Sequence, residues 1–324
     1  MRTLGLVVLL AAAALALPSA QSASVDRTLI GTWTLVSTEE GVDGSEPARV
    51  ANPRGLLVLD GAGWAFEGIT RDNRQRPTPA QASLSEAQLV FATWGGSWGR
   101  YTADTGTRQL TLRPEGSFSP NVMGREWIRS YAMAGDRLVI TSRPGEPHAR
   151  GATRWTWEKV PPVENLSPAY RQVVGFWRHE VESRVNLTLK TEVSTKRAPS
   201  VVVYTPSGYV GVHFPGLNRK PFASDAGPTD AEAKEGVRGY VGYFGALGVY
   251  PGQVFHQILG GSVSAGTTLK RFFDLAPGGD SVNLRFPVAR NAQGQETTTL
   301  VTLKRLSGVS DFLVDSPTQA PRQR

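Results

Sequence analysis

Four histidines, His148, His179, His213 and His256, are the side chains of this 324-residue sequence whose ordinary titration lies nearest neutral pH. His148 follows Arg143-Pro144-Gly145-Glu146-Pro147, a turn-rich run expected on a surface loop. Tyr209, Gly211 and His213 alternate along one short apolar run and so share a strand face, and Val254 and His256 share another. If both faces are interior, His213 and His256 meet, with Tyr243 and Arg271 nearby. Such a group can bind a ligand carbonyl or carboxylate, or act as general acid and base. Two isolated histidines on different strands are more often structural or exposed, so the catalytic reading stands beside a structural one.

Other chemistries find no support. No His-x-x-x-His spacing occurs, and no zinc site is expected. The phosphate-cradling Gly-x-x-x-x-Gly-Lys and the dinucleotide fingerprint are missing, so no cofactor is expected either. The sequence contains no cysteine, which removes disulfides, thiolate nucleophiles and a lipoprotein anchor.

Aromatic residues suggest binding rather than catalysis. Trp64, Phe66, Phe91, Trp94, Trp98 and Tyr101 fall in the first half, and Tyr209, Tyr240, Tyr243, Phe244 and Tyr250 in the second. On a strand, Trp94, Gly96 and Trp98 point the same way, as do Trp64 and Phe66. If that face is interior, the glycine leaves room and the rings line an apolar pocket; the alternative is a filled core.

The elements that must position these residues come twice. Leu29-Ile30-Gly31-Thr32-Trp33 returns as Val173-Val174-Gly175-Phe176-Trp177. Leu56 to Leu59 with Gly63-Trp64 returns as Val201 to Tyr204 with Gly208-Tyr209, and Trp94 to Tyr101 returns as Tyr243 to Tyr250. Arg129-Ser130-Tyr131 matches Arg271-Phe272-Phe273, and Gly135-Asp136 matches Gly279-Asp280. The offset stays between 142 and 149 residues, which makes two homologous domains.

Within each repeat the short alternating runs and turn signals predict about eight strands, the count of a sandwich or closed barrel. Helix signal is confined to Thr78 to Glu86 and Pro228 to Gly236, a short helix or lid-like excursion in each copy. Pro161-Pro162 marks a spacer, and Ser167-Pro168 an N-cap before a short helical turn. The predicted boundaries are a signal peptide at 1–23, barrels at 24–160 and 171–306, a linker at 161–170 and a disordered tail at 307–324.

The signal peptide rests on Met1-Arg2, the apolar run Leu4 to Leu17, and small residues at Ser19, Ala20, Ser22 and Ala23. Cleavage is expected between Ala20 and Ser24, giving a soluble periplasmic or secreted protein with no transmembrane segment after cleavage. The net charge is +7, but the basic residues are scattered rather than striped, and nucleic acid is not an expected partner.

Gly31-Thr32-Trp33 and Gly175-Phe176-Trp177, the apolar strands closed by Gly-aromatic turns, the segments Trp94 to Tyr101 and Tyr243 to Tyr250, and the endings Trp157-Glu158-Lys159 and Leu303-Lys304-Arg305 together resemble the bacterial and fungal lipocalin-like domain family. The resemblance covers nearly all of Leu29 to Leu306. It implies an all-β chain of two tandem lipocalin-like antiparallel β-barrels. In that family the strand after Tyr-x-Gly-x-Tyr tends to carry a histidine. The second repeat keeps it as His256, while the first has Gln109 to Arg113 there. Members of the family include ligand binders and cyclases.

Each Gly-x-Trp indole is expected to plug a barrel end, with Lys159 or Arg305 lying across it as a cation–π cover. The favoured function is binding of a small hydrophobic ligand. Its candidate contacts are Trp64, Phe66, Trp94, Trp98, Tyr101, Tyr209, His213, Tyr243, His256 and Arg271. The rivals are a cyclase- or isomerase-type enzyme using the second barrel, and a structural envelope protein with filled barrels.

Overall fold

The computed structural model describes residues 25–41, 47–71, 86–143, 151–196, 198–225, 227–238 and 240–313. The signal-peptide stretch, His148, the segment 78–85 and residues 314–324 lie outside them.

Each copy forms a closed antiparallel barrel of eight strands. In the first, β1 (Gly31–Glu40), β3 (Arg54–Leu59), β4 (Trp64–Thr70), β5 (Trp94–Asp104), β6 (Gln109–Ser117), β7 (Trp127–Ala134), β8 (Arg137–Thr141) and β9 (Thr153–Val160) pair in sequence order. β9 returns to β1 with Trp33 opposite Lys159, and β2 (Ala48–Arg49) adds a short edge. The second barrel repeats this with β10 (Gly175–Asn186), β12 (Val201–Tyr204), β13 (Tyr209–Phe214), β14 (Val241–Tyr250), β15 (Gln253–Gly261), β16 (Thr268–Leu275), β17 (Ser281–Arg285) and β19 (Glu296–Arg305). There β19 closes on β10 with Trp177 opposite Arg305. β11 (Thr191–Lys196) and β18 (Ala289–Arg290) extend its ends. The first strand of each barrel is bulged at the same point, between Leu35 and Ser37 and between His179 and Val181. A bulge there bends the strand so that it serves both its neighbours around the closure.

The repeated Gly-x-Trp has a physical meaning. Gly31 and Gly175 sit at φ 145° and 137°, a conformation that admits glycine, and in Gly175 a Cβ would collide with the carbonyl of Ser307. The following tryptophans are fully buried, and their indole N–H groups donate to Leu29 (2.9 Å) and Val173 (2.8 Å) in the helical turns just upstream. Lys159 Nζ lies 5.1 Å from the Trp33 ring, and the Arg305 guanidinium 4.0 Å from Trp177. Both cation–π covers are thus in place.

One expectation is corrected. Of the expected first-copy helix, 78–85 lie outside the described residues, and the described helix α1 runs over Glu86–Thr93. Ala87 and Val90 are buried there, and Gln88 donates to the carbonyl of Pro228 in the second copy. Its counterpart α2 (Asp230–Val237) begins where expected, opened by a Thr229/Glu232 capping box. The correction concerns residues 307–313, read as tail. They are folded, with a 3-10 turn at Val309–Asp311, a buried Phe312 stacked on Phe176, and Gly61 N–H donating to the Asp311 carbonyl at 2.7 Å. Phe312 and the partly buried Val309 supply its apolar contacts.

The barrels share a core. Leu56, Val58, Trp64, Phe66, Trp94, Trp98 and Phe118 of the first pack with Val174, Phe176, Val201, Val203, Tyr240 and Phe244 of the second. This layer explains why every residue of β4 is buried on both faces.

Candidate functional site

Barrel closure sends alternate residues inward, and in the second barrel these include a connected polar group. His256 on β15 lies between two tyrosines: Nδ1 is 2.7 Å from the Tyr243 hydroxyl and Nε2 3.2 Å from the Tyr204 hydroxyl. All three side chains are buried. Burial, reinforced by the positive charge of Arg271, pulls His256 down to about 3, so its ring is neutral at pH 7. The same burial pushes both phenols upward, Tyr204 well above its ordinary value. At neutral pH this group is an uncharged hydrogen-bonding set, poorly tuned for general acid–base work.

Arg271 completes it. On β16 it faces Val254 across the ladder and alternates with Phe273, a core residue of the barrel interior. Its guanidinium lies 3.6 Å from the Phe286 ring, and Nη1 donates to the Lys270 carbonyl at 2.7 Å. His179 also points inward, its ring 5.3 Å from Phe214.

The two interiors differ in filling. Around the core of the first barrel only Val25 and Met133 are partly exposed among the described residues. Around that of the second, Phe214, Leu247, Val249, Val263, Leu269, Leu275, Phe286 and Val309 are. Leu247 and Leu269 both stand opposite His256 in the ladder, so they share its face and flank the polar group.

The first barrel is packed solid by Trp33, Trp155 and Trp157. At its centre Arg129 donates to Glu67 at 2.6 Å with neither side chain meaningfully exposed, and the guanidinium faces the Trp155 ring at 4.7 Å. Sequence reasoning missed this pair. The signal was there: Trp127, Arg129 and Tyr131 alternate, which places a charge on an apolar face.

Of the ten candidate contacts, Tyr243, His256 and Arg271 come together inside the second barrel. His213 does not join them. It faces outward on β13, where Nδ1 meets the Tyr240 hydroxyl at 2.9 Å, and that hydroxyl accepts from Trp94 Nε1 at 3.2 Å, across the barrel junction. Trp64, Phe66, Trp94, Trp98 and Tyr209 likewise lie on outer faces, in the shared layer rather than in a pocket. Alternation identifies which residues share a face but not which face is interior when both are buried. Tyr101 does point inward, yet its hydroxyl is engaged by the Asp60 carbonyl at 2.8 Å. Tyr204 and His179 were not singled out, although His179 follows Trp177 by two residues and so shares its inward face.

Among the described residues no group of three or more His, Cys, Asp or Glu side chains is placed to hold a metal ion. No described helix is long and apolar enough to cross a membrane.

Residues 30–160 match the lipocalin-like domain family. A solved protein of unknown function from the DUF3598 family of Nostoc punctiforme is similar at 10% identity, over 86% of this chain and 97% of its own, with a TM-score of 0.22. No curated protein matches the chain.

Proposed function

From the premise that the first barrel is a lipocalin-like domain and that the second repeats its strand order, we propose that this protein binds a small, largely apolar molecule in the second barrel. One observation carries the reading: half-exposed apolar side chains, Leu247 and Leu269 among them, stand beside a buried, fully hydrogen-bonded Tyr204–His256–Tyr243 group. Apolar walls with a few fixed polar groups are the usual makeup of a small-molecule site. The first barrel, filled by tryptophan and an internal ion pair, acts as the rigid partner that buries the outer face of the second.

Native mass spectrometry of the protein purified from its own host tests this. A bound small molecule at one per chain supports the reading. An empty chain that also fails to take up an apolar probe overturns it.

Export is part of the same proposal. The order of charge, apolar run and small residues over 1–23 supports delivery to the periplasm or outside the cell. An intact amino terminus on the protein recovered from its host would contradict it.

A further inference from the structure

Among the described arginines that are at least partly buried, most have a carboxylate or several carbonyls to receive their donors, and Arg271 has the fewest. Arg129 pairs with Glu67, and Arg178 with Glu115 at 2.7 Å. Arg219 donates to the carbonyls of Ser117, Phe118 and Gly236. Arg305 donates to those of Gly279, Val174 and Gln172 and covers Trp177. Arg271 has a single hydrogen bond, to the carbonyl of its neighbour Lys270, and the face of Phe286. Among the described residues no carboxylate is within ion-pair reach of it.

A guanidinium offers five N–H donors in a planar fork that fits a carboxylate on two oxygens. Taking such a group partly out of water without a counter-charge costs free energy, and burial indeed lowers the affinity of Arg271 for its proton. A charge retained there is accounted for if a partner of opposite sign arrives with the ligand. The surroundings admit only that sign. The nearest polar groups are the phenols of Tyr204 and Tyr243 and the neutral His256, none of which supplies a negative charge at pH 7. Phe286 holds the guanidinium plane by stacking and leaves its edge for a ligand.

We propose that the molecule bound in the second barrel carries a carboxylate, and that Arg271 receives this head while Leu247, Leu269 and Phe214 flank the apolar body. The inference rests on the reading of the second barrel as a binding cavity and adds the class of ligand.

Calorimetric titration of the full-length protein with dodecanoate and with dodecanol, two probes differing only in the head, tests it. Dodecanoate should bind about tenfold or more tighter, the scale of a charge-assisted hydrogen bond in a desolvated site. In Arg271→Gln the ratio of the two affinities should collapse to about one, and Arg271→Lys should recover part of it. Equal affinities in the unmodified protein would overturn the carboxylate inference while leaving the cavity intact, and so would a preference that survives in a folded Arg271→Gln. The comparison in the unmodified protein stands without any variant. Failure of both probes to bind counts against the cavity itself.

Discussion

Phe66 of the first barrel lies against Gly211 of the second, so close that a Cβ on Gly211 would fall 2.6 Å from the ring. The contact sits in the layer where the outer faces of the two barrels merge, with Phe66 itself buried. The two copies are therefore not beads on a string: each supplies the other's missing apolar cover.

Gly211→Val places a branched side chain in that contact. Overpacking of this kind costs about 1–3 kcal/mol. Thermal unfolding followed by circular dichroism should show a lower midpoint, and the single transition expected of a shared core should split or broaden as the barrels uncouple. An unchanged midpoint would show that the layer yields easily.

The buried pair in the first barrel has a different signature. Arg129→Met leaves the Glu67 carboxylate facing apolar and aromatic walls, and removing one partner of such a pair costs about 3–5 kcal/mol. Replacing both, with Glu67→Leu and Arg129→Met together, removes the stranded charge and should restore most of the loss. Chemical denaturation of the three variants gives the coupling directly. A double variant as weak as Arg129→Met alone would mean that the pair contributes net stability.

Architecture was legible from the sequence, and the pocket was only half legible. Gly31-Thr32-Trp33 and Gly175-Phe176-Trp177, spaced by a near-constant offset, identified two copies because a plugged barrel end demands those residue types in that order. The trio Tyr243, His256 and Arg271 emerged because two-residue alternation tells which side chains travel together. Trp64, Trp94 and Trp98 misled for the same reason. Their strands are buried on both sides, and nothing within one strand shows that its outer face meets another domain. The Phe312 segment was hidden by a polar neighbourhood that holds few apolar residues.

Stability should depend on pH through Asp60, at the β3–β4 turn where the carboxy-terminal strap docks. Burial, with Asp311 nearby adding like charge, raises its carboxyl to about 6 against the hydrogen bonds it accepts, including Trp64 N–H at 2.7 Å. A folded-state value above the unfolded one means that the native form holds the proton longer. The contribution is full below about pH 4 and is lost as the pH rises through about 6, a change on the order of 3 kcal/mol. His256, pulled down to about 3, acts in the opposite sense: its share is present above about pH 6.5 and fades as the pH falls towards 3. Between about pH 4 and 6 the two slopes oppose, so the parent should be nearly level there, and Asp60→Asn should leave a midpoint that rises with pH across that range. Midpoints measured across that range check this, and an Asp60→Asn profile of the same shape as the parent's would contradict the assignment.

The claim that the second barrel is the binding vessel is tested most directly by filling it. Leu269 stands opposite His256 in the ladder and is half-exposed, so Leu269→Trp occupies the proposed space without disturbing the packed floor. Titration with the uncharged probe N-phenyl-1-naphthylamine, followed by its fluorescence, should give about one saturable site per chain in the parent. Binding should be about tenfold or more weaker in Leu269→Trp. Val193→Trp, on the exposed strand β11 away from the interior, should bind as the parent does. Undiminished binding in a folded Leu269→Trp would place the site elsewhere and contradict the account.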